Sequence, residues 1–209
     1  MIKHNVMMFS VVMMLGIANA NAVELKVQAT DGLPLEDAVI ELISATAQPQ
    51  RPTTLSVAQK DLTFVPFVTA VQQGSSLEFP NLDKSRHHVY SFSPAKVFEL
   101  KLYAGKPEAP VRFEKPGVVA LGCNIHDYMQ AYVYVGTSPY LAVSNAEGVV
   151  ALKDVPAGKY QVKLWHPWQE SDPQLLDVTI PLTGEAVYKI AVVRQEKPSK
   201  PKKGFASTY

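Results

Sequence analysis

The chain has 209 residues, a formal net charge of +1, 47% hydrophobic residues and 19% charged ones. That composition excludes disorder, a collagen-like repeat and a polytopic membrane protein for the body of the chain. Its near-neutral balance argues against nucleic acid as a partner, because phosphate binding needs a basic face. A single cysteine, Cys123, rules out an intramolecular disulfide.

The first segment reads as an address. Lys3 and His4 give a short positive start, the stretch from Val6 to Ala18 is apolar apart from Ser10, and Ala18-Asn19-Ala20 or Ala20-Asn21-Ala22 offers a small-x-small cleavage pattern. The apolar stretch is shorter than the roughly twenty residues of a membrane span. The expectation is a signal peptide over 1–22, a periplasmic or secreted mature chain, and no integral membrane span once the signal is removed. Five of the six methionines, Met1, Met7, Met8, Met13 and Met14, leave with it, so the mature chain keeps one thiol, Cys123, and one thioether, Met129.

Beyond residue 22 the pattern is strand after strand. Val23 to Val27 alternates with period two, and after Asp31-Gly32-Leu33-Pro34 the next run is Ala38 to Ile43. Further runs are expected at Leu62 to Val71, Ser76 to Phe79, His88 to Phe92, Val97 to Tyr103, Pro110 to Phe113, Val118 to Leu121 and Met129 to Val135. The remainder is Leu141 to Ser144, Val149 to Leu152, Gly158 to Leu164, Leu175 to Ile180 and Val187 to Val193. Gly, Pro, Asn and Asp punctuate the gaps and no stretch sustains helical spacing, which points to an all-β sandwich architecture. The end, 196–209, sets Lys197, Lys200, Lys202 and Lys203 against Glu196 among prolines and is read as a flexible basic tail.

Two halves of one pattern lie about a hundred residues apart. Val27 to Leu42, with its Gly32-Leu33-Pro34-Leu35 turn and Ala38-Val39 strand, resembles the opening of carboxypeptidase-regulatory-like (transthyretin-like) sandwiches. The closing half of that pattern is matched by Asn145-Ala146-Glu147-Gly148 and Asp154-Val155-Pro156-Ala157-Gly158-Lys159-Tyr160. Two arrangements are open: one small sandwich, 23–56 and 137–195, interrupted by an inserted domain over 57–136, or two consecutive domains with an accessory N-terminal hairpin. The insertion is preferred.

The segment between the halves carries chemistry. Cys123-Asn124-Ile125-His126-Asp127-Tyr128-Met129 places a thiolate, an imidazole and a thioether two residues apart from one another. This soft donor set favours copper, and a trigonal blue-copper site needs one more imidazole, which His87 or His88 can supply. Zinc is the weaker alternative, since Met is a poor ligand for it. A lone cysteine is usually a small buried hydrophobe, a lone Met core filler and a lone His merely polar. Their joint spacing in an oxidising compartment, where a free thiol is a liability, favours the metal.

Phe64-Val65-Pro66, Val71-Gln72-Gln73-Gly74, Leu77 to Asp83 and His87-His88-Val89, followed by Cys-x-x-His-x-x-Met and the alternating strand Gln130 to Val135, resemble a cupredoxin domain of the plastocyanin and amicyanin type. As a whole the chain also resembles bacterial methylamine-utilisation or plastocyanin-like periplasmic proteins. The resemblance implies a Greek-key β-sandwich and one type 1 copper ion. Its ligands would be His87, Cys123 and His126, with Met129 axial. His87 fits the family pattern, four after Asp83 and two before Val89; His88 stands where the family usually has an Asn that ties the ligand loops together. The implied role is a non-enzymatic electron carrier whose partner is a cytochrome or a periplasmic oxidoreductase. His126 would be the electron exit, and Ile125 and Tyr128 either a docking collar or loop filler. Two other readings stay open: copper storage, delivery or sensing, and a partner- or glycan-binding β-sandwich without a redox role. His166, in Trp165-His166-Pro167-Trp168, is read as structural or surface, with a sugar- or partner-binding aromatic patch as the alternative.

Overall fold

The computed structural model describes residues 22–46, 48–107, 109–173 and 175–199. The signal peptide, apart from Ala22, and the tail beyond 199 lie outside the described residues. The described chain is all-β. In order its strands are β1 (Val23–Ala29), β2 (Val39–Ser44), β3 (Thr54–Ser56), β4 (Ala58–Lys60), β5 (Thr63–Val65), β6 (Val68–Gln72), β7 (Ser76–Glu78), β8 (His87–Ser93) and β9 (Lys96–Tyr103). There follow β10 (Val111–Arg112), β11 (Gly117–Gly122), β12 (Gln130–Gly136), β13 (Leu141–Val143), β14 (Val149–Leu152), β15 (Gly158–Trp165), β16 (Leu175–Ile180) and β17 (Val187–Ile190).

Strands from both ends of the chain share one core. A three-stranded sheet, β14-β1-β17, faces a four-stranded one, β13-β2-β15-β16. Alternation decides which side chains meet between them: Leu25, Val27 and Ala29 of β1 point inward while Glu24 and Lys26 face solvent. Opposite stand Ile40 and Leu42 of β2 with Tyr160, Val162 and Leu164 of β15. Each such buried aliphatic or aromatic side chain contributes roughly 1.5–3 kcal/mol of apolar burial. Tyr160 also donates its hydroxyl to the Pro156 carbonyl at 3.0 Å, which closes the corner leading into β15. Gly148 turns the chain before β14 with φ of 72°, and a Cβ there would come within 2.3 Å of the Val27 carbonyl oxygen.

The intervening residues build a second core. Here a five-stranded mixed sheet, β6-β12-β11-β8-β9, packs against β10-β7-β3, with β6 parallel to β12 and β3 parallel to β7. Hairpins β8–β9 and β11–β12 lie side by side, so the chain crosses between sheets in the manner of a Greek key. Val71, Leu77, Phe79, Val89, Phe113, Val119, Leu121 and Val133 fill the interior.

The two sandwiches touch along a third apolar cluster of Val39, Phe67, Val68, Tyr134 and Trp165. Beside it the buried Glu41 carboxylate accepts from Tyr134 Oη at 2.7 Å, from Thr137 N at 2.6 Å and from Ser138 N at 2.8 Å. Lys197, at the start of the basic end, pairs with Glu36 at 2.7 Å and Asp37 at 2.6 Å. Its ammonium stands 6.0 Å above the centre of the Phe67 ring.

Candidate metal centre

The donor residues come from two places on the second sandwich. His87 opens β8, where a register irregularity between His87 and Val89 leaves His87, His88 and Val89 all buried instead of alternating. Cys123 follows the last residue of β11, and the chain turns through Asn124 to Tyr128 before entering β12. The Met129 amide donates to the His126 carbonyl at 2.8 Å, so the loop closes on itself and delivers Met129 to the head of β12. Cys123 is 2% exposed and Met129 1%, and both belong to the apolar core of this sandwich.

His87, Cys123 and His126 each offer one donor atom, and these atoms all lie within 4.8 Å of one another. The two imidazole rings stand 5.1 Å apart at 57°. His87 is fully buried, with Nε2 at 2.8 Å from Asp83 Oδ2. A carboxylate only accepts, so the ring proton sits on Nε2 and Nδ1 carries a lone pair. That Nδ1 is buried with no hydrogen-bond partner. An unsatisfied buried acceptor costs roughly 1–3 kcal/mol, and one beside a thiol and a second imidazole is the arrangement a metal ion relieves. The donor set of one sulfur and two imidazoles, with the Met129 thioether in the same apolar core as Cys123, fits copper.

Asp83 does more than orient His87. Its two oxygens accept from Asp61 N at 2.8 Å and Leu62 N at 3.0 Å, the central residues of the β4–β5 turn, both left-handed with φ of 55° and 61°. Burial works to raise the Asp83 carboxyl, but the Leu62 amide, His87 and the Asp61 amide outweigh it and hold the group below the usual carboxylate range. A polar pair also enters this core: Gln59 Nε2 donates to Tyr103 Oη at 2.5 Å, and Tyr103 Oη donates to the Phe79 carbonyl at 2.6 Å. Burial pushes the Tyr103 phenol up to about 12, against the Gln59 hydrogen bond and with the help of Cys123.

His88, the alternative first ligand, lies outside the donor cluster of His87, Cys123 and His126. Its Nε2 lies 2.9 Å from Glu99 Oε1 and its Nδ1 2.7 Å from Asn124 Nδ2. Sequence reasoning used Asp83 only as a spacing mark and missed Asn124 and Glu99; the i, i+4 spacing of Asp83 and His87 was the available signal. Ile125 is exposed, whereas Tyr128 packs on the core and lies 5.7 Å from the His126 ring. His166 is buried away from this cluster, with Nε2 3.1 Å from the Glu36 carbonyl and Nδ1 accepting from Trp168 N at 3.1 Å.

No known family model matches the chain, and no curated protein sequence does. Among solved structures the chain is similar to a copper-containing nitrite reductase from Thermus scotoductus SA-01, at 22% identity and TM-score 0.38 over 46% of this chain and 25% of that one. It thus spans a quarter of that protein's length. It is also similar to a purple cupredoxin from Nitrosopumilus maritimus, at 18% identity and TM-score 0.35 over 39% of this chain and 98% of that one. An amicyanin from Paracoccus versutus aligns at 13% identity and TM-score 0.34 over 49% of this chain and all of the other. Among the described residues no helix is long and apolar enough to cross a membrane.

Proposed function

We propose that the chain is a periplasmic type 1 copper protein that carries single electrons between redox partners. In this reading a cupredoxin domain is inserted into a regulatory-like sandwich; because β3 (Thr54–Ser56) pairs with β7, the inserted domain begins by Thr54 instead of at 57 and runs to 136, between 23–53 and 137–195. His87, Cys123 and His126 would hold the ion, with Met129 as the weak axial ligand. The observation that carries the reading is the convergence of three donor atoms within 4.8 Å around a buried His87 Nδ1 that has no hydrogen-bond partner.

Copper, when bound, would supply a one-electron couple between its two oxidation states. The chain supplies the rest. Asp83 fixes the His87 tautomer, the β11–β12 hairpin fixes both ends of the ligand loop, and the surrounding core excludes water from Cys123 and Met129. Ligands so anchored keep nearly one geometry in both charge states, which favours fast electron exchange over turnover of a substrate. His126, more open than His87, is the proposed exit toward a cytochrome or oxidoreductase, with Ile125 beside it as the apolar contact. Export follows from the leader pattern at Lys3 to Ala22.

Cycling the copper-loaded protein between ascorbate and ferricyanide separates this from a storage or delivery role. An electron carrier takes up and releases one electron per chain repeatedly with its copper retained. Loss of copper on either half-cycle identifies a storage or delivery protein instead.

A further inference from the structure

We propose that the outward face of the five-stranded sheet carries a slot for one flat aromatic ring bearing hydroxyl groups, such as a catechol or a hydroquinone, held over Ala120 between Phe92 and Tyr132. The site does not depend on the copper reading.

The slot follows from what three neighbouring strands turn outward. The central one, β11, offers small residues, Ala120 and Gly122, whereas β8 offers Tyr90 and Phe92 and β12 offers Gln130 and Tyr132. Tyr132 stands across the ladder from Ala120, and Tyr90 across from Gly122. The Tyr90 ring covers Gly122, where a Cβ would lie 2.7 Å from it, and so closes that row. Ala120 stays exposed. The β8–β11 ladder is registered at Gly122–Tyr90, and beyond it the Ala120 amide donates to the Ser93 hydroxyl at 2.9 Å, so the strands part. The result is a cleft of about 420 Å³ that reaches Asp127 of the ligand loop. Small-molecule sites occupy roughly 300–1,000 Å³.

The width of the cleft selects its ligand. Strands β8 and β12 each lie about 4.8 Å from β11, so side chains standing up from them are roughly 9–10 Å apart. A third ring midway sits about 5 Å from each wall, within the roughly 4.5–7 Å at which aromatic rings pair. Phe92 is 80% exposed, and the Tyr90 ring 5.2 Å away supports it. Tyr132 is braced by Phe67 at 5.5 Å and Trp165 at 6.0 Å, so the second wall is set before a ligand arrives. The Asp127 carboxylate only accepts, which calls for a hydroxyl on the ring, and the exposed Gln130 amide can donate or accept.

The test titrates hydroquinone into the metal-free protein and follows backbone amides by NMR. Shifts that saturate at one ring per chain and centre on Ala120, Gln130 and Tyr132 are expected, with β15 amides unmoved. Phe92→Ala, at an exposed site where the fold survives the change, is expected to weaken binding about threefold to tenfold, the scale of one ring–ring contact. Ala120→Phe, which fills the slot with a ring of the chain's own, is expected to abolish it. A flat ring without hydroxyls, 1,4-dimethoxybenzene, is expected to bind about tenfold more weakly than hydroquinone, as the loss of a hydrogen bond to a carboxylate requires. Shifts that do not saturate, wild-type affinity in both Phe92→Ala and Ala120→Phe, or equal binding of the two rings overturns the proposal. So does tighter binding of glucose than of hydroquinone, which makes the cleft a saccharide site. Hydroquinone binding of the expected pattern in a chain that takes up no copper defeats the copper reading and leaves the slot standing.

Discussion

At the scale of single residues, the site depends on which nitrogen of each ring is committed. Asp83 holds His87 Nε2, which frees Nδ1 for a metal. Asp83→Asn keeps the shape and weakens that orientation, so copper affinity is expected to fall about 10- to 100-fold, the usual cost of losing an outer-shell partner. Competition with a chromogenic chelator measures it. Asp83→Ala should also lower thermal stability, because two left-handed turn residues, Asp61 and Leu62, lose their acceptor. His166 makes a separate, pH-dependent prediction. Burial, reinforced by Arg194 and Lys197 and opposed by the Glu36 carbonyl, lowers its pKa to about 4. The unfolded chain therefore binds a proton at a higher pH than the folded one does. Stability should fall as pH drops from about 6.5 to about 4, by a total on the order of 3 kcal/mol. Denaturant midpoints across that window measure the slope, and His166→Gln should flatten it. Cys123, His126 and Met129 stand out in the sequence because Cys, His and Met are rare beyond residue 22 and these three sit two residues apart. Asn124 and Glu99 do not, since their partner His88 is reached only through the β8–β9 pairing and the ligand turn.

At the scale of strands, period-two alternation gave most of the elements to within a residue or two. It worked best where one face is buried, as in β1 and β15. It failed at β3, whose residues are all exposed, and at β4, where the one buried residue is Gln59. A polar side chain at a core position inverts the signal on which such reading relies. The single run expected from Leu62 to Val71 is two strands, β5 and β6, broken at Pro66, whose ring cannot donate to a ladder. The Gly148 turn tests the element scale. Gly148→Ala places a methyl against the Val27 carbonyl in a left-handed backbone and is expected to cost at least about 2 kcal/mol, read as a lowered denaturant midpoint. Copper binding at the remote loop should survive it.

At the scale of the whole molecule, Glu41 is the joint between the sandwiches. Four donors, the Tyr134 hydroxyl, the Thr137 amide and hydroxyl and the Ser138 amide, converge on its buried carboxylate. Glu41→Ala strands those donors and should cost roughly 3 kcal/mol or more, with calorimetry resolving two transitions where the intact chain shows one. Neither the joint nor the Trp165–Tyr134 contact across it could be read from local pattern, because both link residues far apart in sequence. The central claim concerns the copper site, and its most direct test is a Cu(II) titration of the chain lacking 1–22, followed by visible absorption. An intense charge-transfer band that saturates at one copper per chain and vanishes in Cys123→Ala is the expected result. A chain that binds Cu(II) without colour, or whose band persists in Cys123→Ala, contradicts it.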